Sequence, residues 1–134
     1  MKKIALLPFR SGSKRFPGKN FIPILGQPLY KIVSERILNS QIFDELILLT
    51  DEMERVTIEC GDLNVKVIQR NPKNSTDGAS SEATIKEAIH SCGISNEDWV
   101  CLFQVTNPFI RTSYLDELNN KIKEKKYTSI FTIV

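Results

Sequence analysis

"KIALLPFRSGSKRFPGKN", residues 3–20, joins two stretches of opposite character. Residues 3–9 are apolar almost without interruption, and such a run reads as a strand buried on both faces. Residues 10–20 then carry Arg10, Lys14, Arg15 and Lys19 among Ser11, Gly12, Ser13 and Gly18, with no acid. Four like charges in a short loop repel one another, and its glycines cost backbone entropy to order. Small residues let backbone amides approach an anion, while Arg and Lys supply charge that stays useful where water is partly excluded. The loop therefore suits a polyphosphate. It is neither the Walker form GxxxxGK[ST] nor the dinucleotide form GxGxxG. A solvated basic turn is the competing reading of any charge run; the position after a buried strand favours the anion.

Downstream, apolar runs alternate with helical periodicity. "PLYKIVSERILNS" (28–40) starts with a proline and places Leu29, Ile32, Val33 and Ile37 on one helical face. "ELILLT" (45–50) reads as a second buried strand, after which Asp51 can cap a short helix with Glu54 completing a capping-box-like pair. "VKVIQR" (65–70) is a third strand. A helix from Ser80 or Ser81 to about Cys92 would bury Ile85, Ala88, Ile89 and Cys92. "WVCLFQV" (99–105) is a fourth strand, and Thr112 would cap a helix carrying Leu115, Leu118 and Ile122 inward. "TSIFTIV" (128–134) reads as a fifth strand. Strand and helix in alternation imply an α/β fold: three layers, α/β/α, around a mainly parallel sheet of Rossmann-like type. Ligands in such sheets bind beyond the carboxyl ends of the strands, so loops 10–20, 70–81 and 104–111 share one rim.

Bulk properties narrow the function. The 134 residues fit one domain, since domains commonly run about 100–150. Eighteen basic against sixteen acidic residues give a net charge of only +2, too balanced for a general nucleic-acid binder. Any positive patch must be local. Cys60, Cys92 and Cys101 are dispersed, which argues against a disulfide framework or a zinc site and for small buried side chains. No window approaches the roughly 20 apolar residues of a membrane span, and the apolar start is too short for a signal peptide. A cytoplasmic location is expected. His90, the only histidine, lies beside the apolar stripe of its helix and reads as solvated.

Five blocks in order carry a resemblance: "LLPFRSGSKRFPGKN" (6–20), "GQPL" (26–29), "FDELILLTD" (43–51), "QRNPKNSTDGASS" (69–81) and "LFQVTNPF" (102–109). They resemble the signature segments of the acylneuraminate cytidylyltransferases, the CMP-sialate or CMP-nonulosonate synthetase family, in its N-terminal portion. In that family the anomeric hydroxyl of a nonulosonic acid attacks the α-phosphate of CTP and pyrophosphate leaves. The resemblance implies that Arg10, Ser11, Gly12, Ser13, Lys14 and Lys19 handle the triphosphate, with Arg10 and Lys14 as catalytic cations. It implies that Asn20, Arg70, Ser80 and Ser81 hold the cytidine and that Gln104 faces the sugar acid. Fixed cations and amide donors suit charge developing on phosphoryl oxygens, and amide and guanidinium donors suit a pyrimidine edge. Asn20 could equally tighten a turn, and Ser81 could simply cap a helix.

The same resemblance implies Mg²⁺, and a homodimer for a full-length member. Family chains run further than residue 134, so residues 1–134 are expected to be a single nucleotide-binding domain lacking a C-terminal part. That part would supply the dimer contacts, some of the sugar pocket and the metal carboxylates. Asp51 and Asp77 are metal candidates by location only. Val105, Ile110 and the pair Pro8-Phe9 depart from the family pattern, which has proline, often arginine, and Pro-Ala there. A nucleotidyltransferase for another sugar, or a CTP-binding domain that performs no transfer, are the alternatives.

Overall fold

Buried apolar runs at the expected spacing build a parallel sheet. A computed structural model describes residues 1–12, 16, 18–74 and 80–130. In chain order the elements are β1 (Lys3–Phe9), β2 (Pro23–Ile24), β3 (Gln27–Pro28), α1 (Leu29–Asn39), β4 (Glu45–Thr50), α2 (Met53–Glu59), β5 (Lys66–Gln69), α3 (Ser81–Cys92), β6 (Trp99–Leu102) and α4 (Thr112–Lys123), with a 3-10 turn at Lys19–Phe21. The main sheet has the order β5-β4-β1-β6, and all its described pairings are parallel. Its register runs from Ile4 opposite Glu45 to Phe9 opposite Thr50, and from Lys3 opposite Trp99 to Leu6 opposite Leu102.

Alternation along the two central strands supplies both faces. Ala5, Leu7, Phe9, Leu46 and Leu48 pack with Tyr30, Val33 and Ile37 of α1, Val56 of α2 and Leu115 of α4. Ile4, Leu6, Ile47 and Leu49 pack with Ala88 of α3 on the opposite face. Each fully buried Leu or Ile contributes about 1.5–3 kcal/mol, which is why β1 and β4 need no polar face. The three-layer α/β/α architecture is the one expected. The chain leaves β1 for β4 and β5 on one side and returns to β6 on the other, so a topological switch point lies between β1 and β6.

Several local expectations are corrected. The stripe of α1 is Tyr30, Val33, Ser34 and Ile37, with Leu29 and Ile32 only partly buried. Tyr30 stacks on Phe9 at 4.5 Å and 12°, a tertiary contact that draws it inward, and Ser34 satisfies its hydroxyl by donating to Tyr30 O at 2.8 Å. Glu52, not Asp51, holds the N-cap position of α2, without a side-chain cap. Ser80 caps α3, accepting from the Ala83 N–H at 3.1 Å, so Ser81 is the first helical residue. On α3, Ala88 is buried and Ile85 and Cys92 pack partly buried against the same core as expected, but Thr84 is buried with them and Ile89 is exposed. Arg111 rather than Thr112 precedes α4 at its N-cap position.

β6 stops at Leu102, although the Phe103 N–H still reaches Leu6 O at 2.9 Å. The fifth strand is not formed over 128–130, and 131–134 lie outside the described residues. The β2–β3 ribbon was not foreseen. Its two-residue turn, Leu25 (φ 52°) and Gly26 (φ 82°), has the positive φ at both positions that a type I′ turn requires. Among the described residues no helix is long and apolar enough to cross a membrane.

Candidate functional site

The site begins where β1 ends. The Arg10 backbone leaves the sheet there, and its carbonyl accepts from Asn20 Nδ2 at 2.9 Å. The Gly18 N–H donates to Ser11 O at 3.1 Å, so the two ends of the basic loop are joined. Gly18 sits at φ 72°, a left-handed conformation that glycine adopts without strain, and starts the 3-10 turn carrying Lys19 and Asn20. Phe21 fixes that turn to the core. Its ring meets Phe9 edge-on at 5.7 Å and Tyr30 at 5.3 Å, and the Arg55 guanidinium lies 4.2 Å over its centroid.

A second cation arrives from β5. Arg70 N–H donates to Thr50 O at 2.8 Å, and its guanidinium Nη2 donates to Thr84 Oγ1 at 3.3 Å. Thr84 Oγ1 donates in turn to Ser80 O at 3.3 Å, and the Glu87 carboxylate accepts from the Asn71 N–H. The first turns of α3 therefore orient Arg70, which is buried. Burial depresses the Arg70 pKa and the Arg10 charge adds to that, while Glu87 and Asp51 oppose it.

These pieces enclose a cleft of about 270 Å³ at the carboxyl ends of β1, β5 and β6. Arg10, Gly12, Lys19, Asn20, Arg70, Ser81 and Gln104 line it with Thr106; the apolar wall is Pro8, Phe9, Leu102, Phe103 and Val105. Three cations thus face the cavity, and no acid lines it among the described residues. Such a surface suits a multiply charged anion beside a flat, partly apolar group. Gln104 was expected at the end of a buried strand; it stands two residues past β6, exposed on the cleft wall.

Not every expected residue reaches this wall. Ser11 turns away: its N–H and Oγ–H donate to Asp51 Oδ1 and Oδ2 at 2.9 and 2.8 Å. Ser80 is committed to capping α3. Ser13, Lys14 and Asp77 lie outside the described residues. His90 is exposed on α3. Thr84 and Glu87 were missed. The spacing of Thr84 and Ala88 on one face of α3 was the available signal for the first, and nothing local marked the second.

Mg²⁺ favours near-octahedral oxygen coordination, through carboxylates, phosphates and water. Among the described residues no three of His, Cys, Asp and Glu converge. Asp51, at the end of β4, has both its oxygens engaged by Ser11. The described residues do not form a fit for the metal.

The chain is similar to known proteins over nearly its whole length. The family model described as Cytidylyltransferase matches residues 4–134. A pseudaminic acid cytidylyltransferase from Campylobacter jejuni is 34% identical over 133 residues, 98% of this chain and 57% of the relative. N-acylneuraminate cytidylyltransferase A from Danio rerio is 33% identical over 132 residues, 97% of this chain and 30% of the relative. Among solved structures, a CMP:2-keto-3-deoxy-manno-octonic acid synthetase complexed with CTP is similar with a TM-score of 0.74 and 26% identity, over 93% of this chain and 48% of that one. The chain spans about half the length, or less, of the proteins it matches.

Proposed function

The chain belongs to the cytidylyltransferase family, and we propose that it binds CTP for transfer of CMP to the anomeric hydroxyl of a nonulosonic acid. The observation that carries the reading is the 270 Å³ cleft at the β1/β6 switch point, lined by Arg10, Lys19 and Arg70 without an acid among the described residues. In the reaction the anomeric oxygen bonds to the α-phosphorus and loses its proton. The P–O bond to the β-phosphate breaks, and pyrophosphate carries away the electron pair. Arg10, Lys19 and the loop cation Lys14 would hold the departing phosphates, where fixed positive charge is worth most as charge develops. Asn20, Arg70 and Ser81 would hold the cytidine, with Phe9 and Val105 walling the base, and Gln104 would face the acid.

The names of the relatives divide between nine-carbon acids and an octonic acid; the nonulosonic reading rests on the five blocks that resemble the acylneuraminate family. Calorimetric titration of the 134-residue chain with CTP, UTP, ATP and GTP tests the nucleotide. CTP is expected to bind most tightly. Equal binding of ATP overturns the cytidine assignment, and binding of none overturns the reading of the cleft. Pyrophosphate release with sialic, pseudaminic and 3-deoxy-manno-octulosonic acids then tests the acceptor.

A further inference from the structure

We infer that Asp51 is a positioning residue for the nucleotide loop and acts through Ser11. Its effect on ligand rests on the CTP reading above; its geometry does not. β1 and β4 are parallel neighbours that end together, with Phe9 opposite Thr50, so Ser11 and Asp51 emerge side by side at the carboxyl edge. Asp51 Oδ1 takes the Ser11 N–H at 2.9 Å and Oδ2 takes its hydroxyl at 2.8 Å. The remaining polar group of Ser11, its carbonyl, takes the Gly18 N–H at 3.1 Å. Ser11 is thereby held on one side by β4 and on the other by the far end of its own loop. Asp51 is itself tethered, because Gln69 Nε2 donates to its backbone carbonyl at 3.0 Å. A continuous chain of contacts runs Gln69–Asp51–Ser11–Gly18, from the edge strand to the turn that presents Lys19 and Asn20.

Charge and geometry make opposite forecasts here. Asp51 acts on Arg70 as a negative charge. By Coulomb attraction alone, removing a carboxylate near Arg10, Lys19 and Arg70 strengthens the grip on a triphosphate. A carboxylate that closes the loop does the reverse, since its loss frees Ser11 and leaves the loop ends to be ordered at the moment of binding. Bonds to an ionised acceptor are the stronger kind, which suits a fixed clasp.

The experiment combines amide hydrogen exchange on the free chain with CTP titration, for the unaltered chain, Asp51→Ala, Asp51→Asn and Ser11→Ala. In Asp51→Ala the Ser11 and Gly18 amides are expected to exchange at least about tenfold faster while β1 and β4 amides stay protected. CTP binding is expected to weaken about tenfold, equivalent to about 1.4 kcal/mol. Asp51→Asn restores both: its Oδ1 still accepts from the Ser11 N–H and its Nδ2 donates to Ser11 Oγ. Ser11→Ala, which keeps one of the two bonds, falls between them. Tighter CTP binding by Asp51→Ala overturns the inference in favour of charge. So does unchanged exchange at Gly18. If Asp51→Ala does not fold, Ser11→Ala against Asp51→Asn decides the matter by the same two readouts. Failure of the unaltered chain to bind CTP overturns the functional reading, and the exchange rates still decide the clasp.

Discussion

The two ends of the sheet present their charges differently. At the amino end two lysines have built partners: Lys2 Nζ meets Glu45 at 2.9 Å and Lys3 Nζ donates to Asn119 at 2.8 Å. The backbone N–H groups of Lys2 and Lys3 donate to Asp98 and Asp44 at 2.8 and 2.7 Å. At the carboxyl end Arg10, Lys19 and Arg70 face a cavity, and the nearest strand-end carboxylate, Asp51, is turned onto Ser11. The amino end is closed by these contacts, while the carboxyl end opens on a cleft lined by three cations. Overall charge hides that division. The same strands run between both ends, and the difference lies in the loops attached to each.

The largest expected effect breaks the open end. Hydrogen bonds to charged groups are worth about 1.5–3 kcal/mol, so Arg10→Ala should weaken CTP by roughly tenfold to a hundredfold. The unfolding midpoint without ligand should stay close to that of the unaltered chain. CTP affinity that does not move would mean the two ends do not differ in the way the cleft suggests.

A smaller effect belongs to the closed end and appears only in acid. The Lys2 and Ser95 N–H groups hold the Asp98 carboxyl below its usual 3.8. A carboxylate depressed on folding contributes stability that is present above its unfolded value and is lost as the pH falls through the folded one. Asp98→Asn removes that contribution. Its stability should fall less steeply than that of the unaltered chain below about pH 4, and its CTP affinity at neutral pH should be unchanged. Equal acid sensitivity in chemical denaturation would place the acid response elsewhere.

The smallest effect sharpens the contrast. Lys2 and Glu45 form a solvent-exposed pair, and such pairs are weakened by salt and add little. Lys2→Ala should leave CTP affinity where it was and barely shift the melting temperature. A clear loss of CTP binding in this variant would show that the amino end communicates with the cleft.

Much of the architecture was legible because it depends on short-range pattern. The nearly unbroken apolar runs 3–9 and 45–50 read as doubly covered strands, and helical period marked α1, α3 and α4. The loops that form the cleft were also legible, from the edge to which a parallel sheet brings them. The family resemblance pointed to Arg10, Gly12, Lys19, Asn20, Arg70, Ser81 and Gln104 among its lining, whereas Thr106 and the apolar wall were not foreseen. Where the sequence misled, a long-range partner overrode a local one. Asp51 has the spacing of a helix cap, yet Ser11 offers two donors across the β1–β4 register, and the cap is left without a side-chain bond. Tyr30 breaks the simple apolar stripe of α1, because Phe9 and Phe21 receive its ring.

The sequence by itself determined an α/β sheet, the order of its main elements and the place where a polyphosphate could sit. Tertiary structure alone decided that Ser11 faces Asp51 rather than the cleft and that Thr84 orients Arg70. The division has one physical cause. Periodicity and capping act within a few residues and are written in neighbouring positions, whereas these bonds join residues brought together by strand register and helix packing, which only the folded chain sets.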